Sequence, residues 1–322
     1  MTESQSRRDI SQLLERVRTR ERPAVARAVT LLETLQGGAL DLLAMMQPYL
    51  GRAQVVGFTG PPGAGKSTLV NAYIRHARGG AKTVAVIAVD PSSPVSGGAI
   101  LGDRIRMTAA SDDDGVFVRS LASRGHVGGL SPAAVRIIDV LDAAGFDLIL
   151  IETVGTGQSE VDIAEIADVR VVVAAPGLGD DIQAMKSGVL EIADVVVVNK
   201  ADVAGANRTA AELSAALSLR AGPVSDTPIV KTVATSGSGI GELAGIIDRI
   251  GAVRTAQAPL ARRRRRARYL IARAAADLIA ARIRHGEAAG IDALSDAVLE
   301  GRTAPADAAA ALLAAAIGAR AG

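Results

Sequence analysis

Cysteine and tryptophan are absent from these 322 residues, and histidine occurs three times. Without cysteine there can be no disulfide, no thiolate nucleophile and no cysteine-based zinc or iron–sulfur site. His76, His126 and His285 lie far apart in sequence, so a metal site of soft ligands is not expected. Aromatic residues make up only 2%, which points to an aliphatic core and removes the stacking platforms that single-stranded nucleic acid needs. An excess of one charge is lacking too. Lys and Arg number 36 against 34 Asp and Glu, a balance that argues for neither nucleic acid nor a membrane as partner. No stretch approaches the roughly 18 uncharged apolar residues of a membrane helix, and the charged N-terminus has no apolar run of signal-peptide type. A cytoplasmic location is the expectation.

What is present is apolar material, 49% of the chain, enough for one sizeable core with helical appendages. Residues 1–50 carry helical periodicity (Ile10, Leu13, Leu14, Val17; then Val25, Val29, Leu32), broken at Pro23 and at Gly37-Gly38, and predict three short helices. From Gln54 the pattern changes to seven short runs, QVVGFT, TVAVIAV, GVFVRS, DLILIE, VRVVVAA, DVVVVN and PIVKTV, alternating with helical segments. Continuous apolar strands of this kind predict an α/β fold with a mostly parallel sheet flanked by helices. Ligands gather beyond the carboxyl ends of such strands, where the unusual loops fall. After about residue 252 the strand pattern stops and an Arg- and Ala-rich helical tail follows. The expected organisation is therefore a helical extension (1–50), a nucleotide-binding domain (51–252) and a second helical extension (253–322).

Gly60-Pro61-Pro62-Gly63-Ala64-Gly65-Lys66-Ser67 matches G-x-x-x-x-G-K-[ST] and sits between a strand and a helix, as a P-loop must. Its glycines let backbone N–H groups turn toward phosphates, with Thr68 continuing the helix amino end. Lys66 supplies a charge to the β and γ oxygens, and the Ser67 hydroxyl is suited to Mg2+. Asp90 ends a strand and opens a Gly/Ser/Pro-rich segment carrying Asp103. Both are candidate Mg2+ carboxylates, with a turn residue and a helix cap as the plain alternatives. Glu152 ends the buried run DLILIE, where an acid is costly unless it serves the ion or its water; a solvent-facing strand end is the plainer reading. Gly155, three residues further, brings an N–H within reach of a γ-phosphate, a contact that GDP cannot make. Thr156 stands where common small GTPases carry the water-orienting Gln, and the nearest Gln is Gln158, so slow intrinsic hydrolysis is expected. Arg104 and Arg106 are either internal arginines for the transition state or solvated surface residues.

Asn199-Lys200-Ala201-Asp202 follows another apolar strand and matches N-K-x-D. The Asp202 carboxylate accepts from guanine N1–H and N2–H2, a donor pair that adenine lacks, so GTP is favoured over ATP. Ser236 and Gly237, in Ala234-Thr235-Ser236-Gly237, resemble the second guanine loop.

The stretches GFTGPPGAGKSTLVN, VDPSSPVSGGAILGDRIRM, RSLASRGHVGGLS, LIETVGTGQSEVDIA and NKAD together resemble the MeaB/ArgK/MMAA family of GTPases, members of the SIMIBI class of P-loop NTPases. That resemblance implies a homodimer built with the C-terminal arm and Mg2+-GTP held at Lys66, Ser67, Asp90, Asp103 and Glu152. It also implies an adenosylcobalamin-dependent acyl-CoA mutase partner, methylmalonyl-CoA mutase or a relative, whose cofactor loading the GTPase gates and which it protects. Gln183 and Lys186, in GLGDDIQAMK, are similar to the family's additional switch that signals to the mutase, although they also suit an ordinary solvated helix. His126 is read as structural. Arg262 to Arg266, without interleaved aromatics, is read as a solvated helix face or partner contact. Two other functions compete: a nickel-enzyme maturation GTPase, which calls for clustered Cys and His, and an ATPase or kinase linked to basic amino-acid transport, against which NKAD argues.

Overall fold

The computed structural model describes residues 3–90, 113–122, 132–153, 159–178, 188–219, 227–257, 259–285 and 290–318. Three helices open the chain, α1 (Glu3–Arg18), α2 (Arg22–Thr34) and α3 (Ala39–Met46), divided where the breaks predict. Pro23 sits in the first turn of α2, where its missing N–H costs nothing. Gly38 precedes α3 with φ +81, and a Cβ there would meet Ile10 Cδ1 at 2.7 Å, so a side chain would part α3 from α1.

The body is a seven-stranded parallel sheet: β1 (Gln54–Thr59), β2 (Val84–Asp90), β3 (Val116–Ala122), β4 (Leu148–Thr153), β5 (Val169–Ala174), β6 (Val195–Val198) and β7 (Ile229–Lys231). Its order is β3-β2-β4-β1-β5-β6-β7. Between the strands run α4 (Lys66–Gly79), α5 (Pro132–Ala143), α6 (Ser159–Ile166) and α7 (Ala206–Ser218), and α8 (Ile240–Gln257) follows the last strand. The Val-rich strands are buried on both faces, as covered parallel strands must be. On one face Val56, Phe58, Val86, Leu150, Val171 and Val197 pack with Leu69, Tyr73 and Ile74 of α4 and Leu243 and Ile247 of α8. On the other, Val172, Val196 and Val198 meet Leu213 and Leu217 of α7. Each such side chain contributes about 1.5–3 kcal/mol, so the sheet is the rigid body on which the loops are mounted.

At the amino ends of the strands the fold is tied by charge. Asp142 of α5 accepts from the N–H groups of Gly51, Arg52 and Ala53 ahead of β1. Asp168, ahead of β5, accepts from Val55 N at 2.9 Å. Asp194, ahead of β6, pairs with Arg170 at 2.7 Å and with Arg254 at 2.6 Å.

The next helix, α9 (Pro259–Arg284), corrects the reading of the arginine run. Arg262 and Arg266 are 6% and 3% exposed, not solvated. Four residues apart, they share one helix face and turn it to Asp168, with Arg262 Nε 2.9 Å from Oδ1 and Arg266 Nη2 3.6 Å from Oδ2. Of the five, only Arg264 is exposed. The chain divides into two compact units, Met1–Arg266 and Ala267–Gly322. In the second, the end of α9 joins α10 (Ile291–Leu299) and α11 (Pro305–Gly318) around an apolar cavity lined by Ile283, Leu294, Val298, Pro305 and Leu312. Among the described residues, no single helix is long and apolar enough to cross a membrane.

Candidate nucleotide site

The strand order places the carboxyl ends of β1 and β4 side by side, with Phe58 opposite Glu152. β1 runs out into the loop from Gly60 to Gly65, and α4 begins at Lys66. Gly60 has φ +140, and a Cβ there would lie 2.1 Å from Val173 O on β5, so the loop passes over the sheet only because this residue has no side chain. Gly63 and Gly65 take φ +78 and +83, which turns the loop back on itself. Lys66 is 7% exposed. Its ammonium donates to Gly60 O at 2.7 Å and Pro61 O at 2.9 Å, holding it beneath the loop in place to meet phosphate oxygens. Ala64 is buried, while Pro62 and Thr68 are exposed.

Ser67 Oγ donates to Glu152 Oε1 at 2.6 Å. Glu152 is 6% exposed, so the carboxylate that closes β4 is buried beside a hydroxyl at the amino end of a helix. A hydroxyl and a carboxylate converging in this way are hard oxygen donors of the type Mg2+ takes, and the pair fits that ion. Next to β4, β2 ends at Asp90, with Val89 opposite Thr153, so the backbone of a second acid reaches the same edge. The side chain of Asp90 and all of Asp103 and Gly155 lie outside the described residues, as do Arg104, Arg106, His126, Gln158, Gln183 and Lys186.

On the other side of β1, the base-reading segment is joined to the phosphate loop. Asn199 follows β6 and is buried. Its Nδ2 donates to Ala64 O at 3.0 Å and Gly65 O at 3.3 Å, while its Oδ1 accepts from Thr232 Oγ1 at 3.1 Å and Ala234 N at 3.2 Å. One amide therefore fixes three loops. A Cβ at Gly65 would come within 2.5 Å of that Nδ2, so the loops touch only because residue 65 is glycine. Lys200 adopts φ +55, and its ammonium donates to Gly63 O at 2.8 Å, laying the lysine stem across the gap between loops. Ala201 N donates to Thr232 O at 3.0 Å, which keeps the segment bearing exposed Asp202 beside that bearing exposed Ser236 and Gly237.

Thr232 is a contributor that motif reading passes over, whereas Ala234 opens the stretch read as the second guanine loop. The only signal for Thr232 is position, directly after β7 and ahead of Ala234-Thr235-Ser236-Gly237. Thr153 Oγ1 adds a 3.3 Å bond to Thr59 Oγ1 that ties the ends of β4 and β1.

Relatives and solved structures bear on this arrangement. The GTPase ArgK of Escherichia coli is 43% identical over 205 residues, 62% of this chain and 61% of that one. A Pyrococcus abyssi protein bearing a GTPase name is 51% identical over 238 residues, 73% of this chain and 74% of its own. The mouse methylmalonic aciduria type A homolog, mitochondrial, is 36% identical over 242 residues, 69% of this chain and 58% of that one. The crystal structure of a LAO/AO transport system kinase superposes with a TM-score of 0.71 at 25% identity, covering 97% of each chain. The family model of the methylmalonyl Co-A mutase-associated GTPase MeaB matches residues 25–288, and with a P-loop, a hydroxyl–carboxylate pair and an N-K-x-D loop at one sheet edge the chain belongs to this family of GTPases.

Proposed function

We propose that GTP binding and hydrolysis by this chain gate the loading of adenosylcobalamin onto an acyl-CoA mutase of the methylmalonyl-CoA mutase type, and protect or reactivate that enzyme. The observation that carries the reading is the family match over residues 25–288, together with the joined phosphate and guanine loops. The mouse relative named for methylmalonic aciduria supports the same partner.

In this reading the N–H groups of Gly63 to Ser67 cradle the phosphates, Lys66 neutralises charge on the β and γ oxygens, and Asp202 reads the guanine edge while Asn199 braces it. Ser67 and Glu152, with Asp90 and Asp103, would hold Mg2+, which supplies charge neutralisation to the phosphates when bound. Glu152, buried at the end of β4, would hold the ion or a water bound to it on that side of the site. Gly155 reports the γ-phosphate, and Gln183 and Lys186 pass the nucleotide state to the mutase. Hydrolysis is slow alone and faster with the mutase, and the working form is a cytoplasmic homodimer.

The experiment mixes purified protein with methylmalonyl-CoA mutase and follows GTP turnover and cofactor transfer together. Faster hydrolysis, and transfer that depends on the nucleotide, are expected; no change in either with an interacting mutase rejects the partner. A second reading, an ATPase or kinase of basic amino-acid transport, draws on the name of the superposed structure. It requires ATP to displace GTP equally well, against the chemistry of Asp202.

A further inference from the structure

The first helix after Glu152 in the chain is α6, and the carbonyls of Glu165 and Ile166 at its far end, with those of Ala167 and Asp168 just beyond it, each accept from an arginine. Arg265 Nε donates to Glu165 O at 2.9 Å and Arg266 Nε to Ile166 O at 3.1 Å. Arg265 Nη2 donates to Ala167 O at 3.0 Å and Arg254 Nη1 to Asp168 O at 2.6 Å. These donors come from α8 and α9, far along the chain from α6. The last carbonyls of a helix carry the negative end of its dipole, which a guanidinium offsets.

Folding alone gives little reason for charge at this place. Arg266 and Asp168 have 4% and 0% of their side chains exposed, and exchanging such buried ions for packed apolar residues is often neutral or stabilising. What the arginines do is fix a position. With eight residues, α6 is too short to be stable by itself, so its contacts decide where it lies. One contact is Ile163 against β1, so close that a Cβ on Gly57 would fall 2.4 Å from Ile163 Cγ2. Another is the arginine clasp. The helix thus lies between the strand that delivers the phosphate loop and the arginines, with only residues 154–158 separating its first turn from the end of β4.

Resting on the guanine-nucleotide reading above, we propose that Arg265 and Arg266 are positioning residues for the γ-phosphate. Holding the carboxyl end of α6 fixes the element that follows Glu152 most closely in the chain. GDP has no γ-phosphate and does not draw on that placement.

Calorimetry with a non-hydrolysable GTP analogue and with GDP tests this, alongside single-turnover hydrolysis. Arg265→Ala, which leaves the Asp168 ion pairs in place, is expected to weaken the analogue about tenfold and to slow hydrolysis while GDP binding stays within about twofold. Arg265→Lys, which can still reach one carbonyl, recovers part of the loss, and Arg264→Ala, at the exposed neighbour, changes neither nucleotide. Equal weakening of both nucleotides, or no weakening, overturns the proposal. If Arg265→Ala does not fold, the lysine variant carries the same comparison with a smaller expected shift. Wild-type protein that binds neither guanine nucleotide would reject the site reading itself, a result distinct from an unchanged ratio.

Discussion

The hydroxyl of Ser67 and the carboxylate of Glu152 are 2.6 Å apart, joining the first turn of α4 to the last residues of β4. Glu152→Gln keeps the shape and a hydrogen-bonding oxygen but removes the negative charge. Single-turnover GTP hydrolysis is expected to fall about a hundredfold, with a weaker response to added Mg2+, while GDP binding in EDTA is little changed. A variant with the Mg2+ response of wild type would take Glu152 out of the ion's surroundings.

Asp202 decides the base. Its carboxylate offers two acceptors to the N1–H and N2–H2 of guanine, whereas an amide offers one acceptor and one donor. Asp202→Asn should therefore lose GTP and gain xanthosine triphosphate, which carries an oxygen at C2, with a swing in preference up to about 10⁴-fold. Competition binding with the two nucleotides measures it. Unaltered guanine preference would mean that another group reads the base.

The sheet was legible because its central strands are short aliphatic runs buried on both faces, Val195–Val198 being the plainest case. The phosphate loop was legible because Gly60 and Gly65 occupy positions where a Cβ would strike Val173 O or Asn199 Nδ2, and the first three helices because proline and glycine divide them. Asn199 was recognised by its motif, but its grip on Thr232 was not, since a hydroxyl 33 residues away leaves no periodic trace. The arginine run misled for a related reason. The spacing of Arg262 and Arg266 puts them on one helix face, yet nothing local says that the facing residue is the buried Asp168. Long-range ion pairs at the amino ends of strands have no sequence signature, whereas loops that bind phosphate do.

Asp168 is expected to be more sensitive than either arginine it meets. Asp168→Ala removes the acceptor of Val55 N and strands two guanidiniums that are 6% and 4% exposed. Unfolding in urea should show a loss of about 3–5 kcal/mol. Replacing Asp168, Arg262 and Arg266 together by Leu, Met and Met should return most of it, because the cost lies in charge left unpaired. A triple variant as unstable as Asp168→Ala would show instead that the ion pairs themselves supply the stability.

Asp139 on α5 supplies a pH dependence whose sign can be worked out. Burial pushes its carboxyl up to about 6, Asp142 adds to the rise, and Arg266 and Arg263 oppose it. In the unfolded chain the same group titrates near ~3.9. Between these two values the folded state holds the proton more tightly than the unfolded one, so this group's contribution to stability falls as pH rises from about 4 to about 6 and is level above that. Asp139→Asn cannot ionise and escapes the loss. It should be more stable than wild type at pH 7, by on the order of 1–2 kcal/mol for a partly exposed position, and the advantage should close as pH approaches 4. Because Arg266 lowers the Asp139 value, Arg266→Met should move the window to higher pH. Urea midpoints for the three proteins across this range measure both effects, and an Asp139→Asn advantage that is the same at pH 4 and pH 7 would assign the gain to packing, not to the charge.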